Sequence, residues 1–309
     1  LDVYYAACDV LQTEQDFRDL AWSYLTKASE NNIRHVEMSF DPQTHMKERN
    51  SLDISTIVNG LSRACAEAKE LLSPPVHADL ILCFLRHRHP GCEWAQPPAE
   101  ENEALSVLEE VIAKGLTNKI VAVGLDSSEK DNPPELFKEA FDRARQVGLK
   151  CVAHAGEEGP AEYITKALDV LKVSRIDHGV RCLEDKDIVR RLANERVPLT
   201  VCPCSNHRLK VADRYFSGEN PVRRLLHEGI VVTLNSDDPA YFFGHKDKFG
   251  EVHGGYLNAN YVVAAKECAL SADEVVNLAV NSFESSFLTE QQLGLYKKEI
   301  EQYCKSFKP

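Results

Sequence analysis

A chain of 309 residues has room for two average domains, yet an α/β barrel of about 250 residues folds as one, so length alone draws no boundary. A hydrophobic fraction of 43% supports a large core, while a formal charge of -12 with no clustered Lys/Arg run argues against nucleic acid or an anionic membrane surface as partner. No apolar run approaches the roughly 20 residues of a membrane span, and ten cysteines without a CxxC pair fit the reduced thiols of a cytoplasmic protein better than a disulfide framework. The opening "LDVYYAACDV" lacks the basic and apolar regions of a signal peptide, and Leu1 in place of an initiator methionine reads as a truncated start.

Two periodicities alternate along the chain. Thr13 and Asp16 stand in capping-box spacing before a helix whose face is marked by Phe17, Leu20, Ala21, Tyr24, Leu25 and Ala28. "IRHVEMSF" follows as a short, apolar strand. Ile54, Ile57, Leu61, Ala64, Ala68 and Leu71 form a second helical stripe, followed by the strand "ADLILCFLR" and the Pro/Gly loop "HRHPGCEWAQPP". Five more buried strands are read at "IVAVGLDS", "LKCVAHAG", "RIDHGV", "PLTVCPCSN" and "IVVTLNSDD", with helices such as "PPELFKEAFDRARQVG" and "NPVRRLLHEG" between them. Gly148 and Gly229 close those two helices as C-caps. Cys202 and Cys204, alternating along the strand "PLTVCPCSN", read as packing residues.

Seven apolar strands with helical crossovers imply a parallel sheet covered on both faces, one unit short of an eight-stranded barrel. A doubly wound open sheet is the alternative. The polar residues favour the barrel: Arg86 and His87, Asp126 and Ser127, His154 and Glu157, Asp177 and His178, Ser205 and Asn206, and Asp237 and Asp238 all fall at C-terminal strand ends, which a barrel gathers at one mouth. The expected fold is an α/β, TIM-type (β/α)8 barrel lacking its first unit, a single domain over 1–309.

His154 sits at a strand end beside a small Ala-Gly step, with room for an ion; a loop histidine satisfied by backbone is the bland alternative. Asp237 and Asp238 would repel each other in one site unless a cation relieved them, and strand alternation would send them to opposite faces. "HAGEE", "RIDHG", "VCPCSN" and "NSDDPAYF", in that order at successive strand ends, resemble the adenosine deaminase superfamily of metal-dependent purine deaminases. "FDPQTH", "FLRH", "GLDSSE" and "DDPAYF" are most similar to its adenine deaminase branch, which acts on the free base.

The resemblance implies a set of roles. His154 and Asp237 would be metal ligands, Glu157 would pass a proton to N1 of the purine, and His178 would orient the attacking hydroxide. Asp238 would meet the base edge near N7, and Ser127 would line the base pocket. A core histidine paired with Asp177 remains the alternative for His178. The cofactor implied is one Zn2+, since lowering a water pKa from 15.7 to ~7 is worth on the order of 12 kcal/mol, against about 10²- to 10⁴-fold for a general acid. The partner is a small-molecule purine base; no nucleic acid or membrane is expected, and the setting is cytoplasmic, or also nuclear, purine salvage.

The cytidine-type zinc signature fails, because after Pro203-Cys204 its second cysteine position holds His207. "GLDSSE" lacks the lysine that bridges two metals in binuclear amidohydrolases, so one metal is expected. The family's His-x-His pair, which completes the metal site, has no match; His87-x-His89 is read as a decoy in a loop. Adenosine deamination, or an inactive fragment that keeps the fold, are the alternatives to adenine deamination.

Overall fold

The structure, a computed structural model, describes residues 6–48, 51–90 and 102–307. The loop read at "HRHPGCEWAQPP" lies outside the described residues from position 91 to its end. The chain divides into two compact units, Leu1–Ser174 and Arg175–Pro309.

The first unit alternates helix and strand: α1 (Glu14–Glu30), β1 (His35–Phe40), α2 (Ile54–Leu71), β2 (His77–Leu85), α3 (Glu103–Ala113), β3 (Ala122–Asp126), α4 (Lys138–Gln146), β4 (Lys150–Ala155) and the short α5 (Glu162–Lys166). Its strands are parallel in the order β1-β2-β3-β4, with His35 opposite His77, Ile81 opposite Ala122, and Ala122 opposite Lys150. The capping box at α1 forms as expected: the Thr13 side chain accepts from the Asp16 N–H, and the Asp16 carboxylate accepts from the Thr13 N–H at 2.7 Å. Phe17, Ala21, Leu25 and Ala28 are buried, but Leu20 is 53% exposed. At 100° per residue Leu20 lies about a quarter turn from the mean direction of the buried four, so the apolar face is narrower than the sequence suggests. In α2 the stripe from Ile54 to Ala68 is buried, and Leu71, its last residue, is exposed where the helix ends.

The second unit holds β5 (Arg175–His178), α6 (Lys186–Asn194), β6 (Leu199–Val201), α7 (Pro203–Arg208), α8 (Val211–Phe216), α9 (Val222–His227) and β7 (Val232–Leu234). After these come the antiparallel pair β8 (His245–Lys246) and β9 (Val252–His253), which the sequence did not announce, then α10 (Leu257–Glu267), α11 (Ala272–Glu284) and α12 (Glu290–Ser306). Here too the strands are parallel in chain order, Ile176 opposite Leu199 and Leu199 opposite Val232. Strand order follows chain order without reversal in each unit, unlike the reversed order of a doubly wound sheet.

One strand is shorter than expected. "PLTVCPCSN" is extended only to Val201, because Pro203 has no N–H for a ladder and a fixed φ suited to the first helical turn, so it opens α7. Cys202 and Cys204 therefore do not alternate along a strand: Cys202 is the helix N-cap and Cys204 lies within the first turn. Cys204 is still a packing residue, against Phe242 and Val263. Gly148 and Gly229 cap their helices in the left-handed region, at φ +87 and +79, where the following N–H groups of Leu149 and Ile230 return to Ala144 and Leu225. No disulfide joins the described cysteines. Among the described residues no helix is long and apolar enough to cross a membrane.

Candidate active site

In the first unit the C-terminal strand ends are tied together by buried polar groups. The Arg86 N–H continues the sheet ladder to the Asp126 carbonyl at 3.1 Å. Its side chain is fully buried and donates through Nη1 to the Asn132 carbonyl at 2.7 Å and through Nη2 to the carbonyl of His154. Burial pushes the guanidinium pKa down, and the nearby carboxylates of Glu129 and Asp126 oppose that shift. The segment after β1 is fixed in the same manner: buried Gln43 accepts from the Leu85 N–H at 2.8 Å and donates to Glu103 at 3.0 Å, which is paired with Arg88. Within the sheet, β2 and β3 approach so closely that a Cβ at Gly124 would lie 2.4 Å from the Cys83 sulfur.

Ser127 and His87 meet at 2.9 Å between Oγ and Nδ1, with Ser127 in the left-handed region at φ +68. His89 instead sets its ring edge-on to Phe137, 5.4 Å between centroids, where burial pushes its pKa down. The two histidines of "HRH" thus have different neighbours. A separate cluster of His35, His77 and Asp79 has its ligand-type atoms within 4.8 Å of one another, but these residues begin β1 and β2, at the opposite strand end.

His154, half-buried, is the penultimate residue of β4. The bend that follows separates two adjacent glutamates: Glu157 is 9% exposed and Glu158 is exposed. Neither starts a helix, since α5 begins at Glu162. The bend is closed by a residue that the sequence did not single out. Glu129, 1% exposed, accepts from the Gly156 N–H at 3.1 Å, from the Glu157 N–H at 3.4 Å, and from the Gly159 N–H. The available signal was the glycine pair in "HAGEEG", whose amides need an acceptor; that the acceptor comes from "GLDSSE" is a long-range fact with no local trace.

In the second unit Asp177 accepts from the Thr200 hydroxyl at 2.7 Å, which commits it to the sheet. His178 turns to a different neighbour: its Nε2 is 3.8 Å from Oδ2 of Asp237. The Cys202 sulfur joins them, and the three ligand-type atoms lie within 4.8 Å of one another. Both His178 and Asp237 adopt left-handed backbone, at φ +60 and +55, a cost on the order of 1–3 kcal/mol each that concentrates at functional sites. Asp238 is exposed, and its carbonyl accepts from the Tyr241 N–H at 3.0 Å, opening a turn. Ser205 and Asn206 are buried in α7, past the strand end expected to carry them. His178, Asp237 and Cys202 thus offer a nitrogen, a carboxylate oxygen and a thiol, donor types that zinc takes; among the described residues His154, in the first unit, is not part of that cluster, and Asp237 is the one expected ligand in it.

The family model described as adenosine deaminase matches residues 1–303. The chain is 47% identical to the adenine deaminase of Acinetobacter baylyi over 98% of this chain and 82% of that protein. It is 45% identical to the adenine deaminase of Cupriavidus pinatubonensis, over 98% of this chain and 78% of that one. Among solved structures, the adenine deaminase of Arthrobacter aurescens superposes with a TM-score of 0.86 at 42% identity, over 99% of this chain and 84% of that chain. An amidohydrolase from Burkholderia ambifaria, solved with bound Zn, shares the fold at a TM-score of 0.79 and 22% identity, over 96% of this chain and 76% of that one. The α/β, TIM-type fold class expected from the seven strands is therefore the right one. Strand-end residues and whole-chain likeness agree: the chain belongs to the adenosine deaminase family, within its adenine deaminase branch.

Proposed function

We propose that the chain converts adenine and water to hypoxanthine and ammonia with the help of one zinc ion. The observation that carries this reading is the contrast between buried Glu157 and exposed Glu158 on the bend after His154, which gives one carboxyl of the pair a sheltered place for proton transfer. His154 and Asp237 would hold the ion, which when bound supplies a water acidic enough to be ionised near neutral pH. The Burkholderia amidohydrolase solved with Zn supports that choice of metal.

Glu157 delivers a proton to N1 of the base, so that the ring nitrogen does not accumulate negative charge as C6 is attacked. His178, beside Asp237, hydrogen-bonds the attacking oxygen and steadies its charge. Asp238 takes the base edge near N7, and Ser127, steadied by His87, lines the pocket. We place the reaction in cytoplasmic purine salvage, within one domain spanning 1–309.

Substrate choice tests the reading. In the full-length protein, kcat/KM for adenine, followed by loss of its absorbance, is expected to exceed that for adenosine at least about 100-fold, since a pocket shaped to the free base excludes ribose. Comparable constants would move the assignment to a nucleoside deaminase.

A further inference from the structure

We infer that Glu129 is a positioning residue for Glu157: its carboxylate holds the bend over 156–159 in the shape that presents Glu157 for proton transfer. The inference rests on the reading of Glu157 as the proton donor.

Glu129 lies in the loop after β3, and both of its oxygens are engaged. Oε2 accepts from the N–H groups of Gly156 and Gly159, and Oε1 accepts from the N–H of Glu157 itself. An ionised carboxylate is acceptor-only and can serve three amides at once; a carboxamide has one oxygen and would turn an N–H donor toward at least one of them. At 1% exposure Glu129 keeps these amides from exchanging their bonds with bulk water.

The surroundings leave the bend no slack. A Cβ at Gly159 would lie 2.3 Å from Oε2 of Glu129 and 2.7 Å from the Tyr163 ring, and Gly156 stands at φ +74. The Glu129 carboxylate also opposes the burial that lowers the pKa of the Arg86 guanidinium. That guanidinium binds the His154 carbonyl. Two buried side chains thus fix the backbone of the two residues that the proposed chemistry places on this strand end: Arg86 that of His154, Glu129 that of Glu157.

The test is a double-mutant cycle in the full-length, zinc-loaded protein. Glu129→Gln is expected to lower kcat about 10- to 150-fold, the equivalent of one hydrogen bond to a charged group, with KM for adenine within about threefold and zinc content unchanged. Combined with Glu157→Gln, it should lower kcat no more than about threefold further, because a residue acting through Glu157 has nothing left to position. Amide hydrogen exchange at Gly156 and Gly159 should accelerate in Glu129→Gln, a readout independent of turnover. If that variant does not fold, Glu129→Asp, which keeps the charge on a shorter arm, carries the same cycle and the same exchange measurement. Wild-type kcat in the Glu129 variant, or losses that multiply in the double variant, would overturn the inference. Near-normal kcat in Glu157→Gln alone would instead sink the proton-donor reading beneath it.

Discussion

The buried guanidinium of Arg86 donates to the backbone carbonyl of His154, so the position of the imidazole depends on a side chain two strands away. Replacement by leucine removes the donor to the Asn132 and His154 carbonyls together. Leaving two buried carbonyls without their donor costs about 1–3 kcal/mol each, so Arg86→Leu should lower unfolding free energy by about 2–6 kcal/mol in urea titrations. Lysine keeps the charge but has no fork to span two carbonyls, and Arg86→Lys should cost about 1–3 kcal/mol. A loss below about 1 kcal/mol for the leucine variant contradicts the tie.

Gly124 and Cys83 make a second relationship that a single atom can probe. Because a Cβ at Gly124 would fall 2.4 Å from the Cys83 sulfur, Gly124→Ala overpacks the sheet and should destabilise by about 1–3 kcal/mol. Removing the sulfur opens that space. Cys83→Ala combined with Gly124→Ala should therefore be more stable than the sum of the two single changes predicts. Strict additivity in denaturant midpoints would mean that the strands adjust by another route.

What the sequence conveys well is what short-range chemistry determines. The strand at "LKCVAHAG", the capping box at Thr13 and the glycine C-caps at 148 and 229 are all local, and all are where the pattern puts them. Failures come where a neighbour decides. The apolar run "PLTVCPCSN" reads as one strand, yet the chain leaves the sheet after Val201 and Pro203 opens a helix. Glu129 is not singled out by the sequence because its partners are amides of another loop, and nothing local in "GLDSSE" shows which amides those are. Neither the approach of Asp237 to His178 nor the exposure of Asp238 can be read from two identical letters side by side.

Asp53 offers a pH test of the helix layer. It caps α2, accepting from Lys114 at 2.6 Å and from the Ser55 N–H at 2.7 Å, and the Lys114 ammonium and then the Ser55 amide hold its carboxyl down, to about 2 from 3.8. A carboxyl depressed in the folded state contributes stability above its unfolded pKa and loses that contribution as pH falls through the folded value. Loss of an N-cap costs about 1 kcal/mol, so Asp53→Ala should show that deficit at pH 7. The deficit should shrink as pH falls from about 4 toward 2, and a gap independent of pH would show that the charge is irrelevant to the cap.

The adjacent acids can be separated by the same conservative change. Asp237 lies 3.8 Å from His178 and is partly buried, whereas Asp238 faces solvent. Asparagine tolerates the φ of +55 found at Asp237, so Asp237→Asn removes the charge without adding backbone strain. If Asp237 holds the metal, zinc affinity in the full-length protein should fall on the order of 100-fold or more, because a neutral amide is a far poorer ligand than a carboxylate, and kcat should fall with occupancy. Asp238→Asn should leave zinc content unchanged and raise KM for adenine roughly tenfold, the worth of one hydrogen bond to the base. Elemental analysis of both variants, alongside adenine turnover, decides the assignment: zinc lost from the Asp238 variant and kept by the Asp237 variant would exchange the two roles.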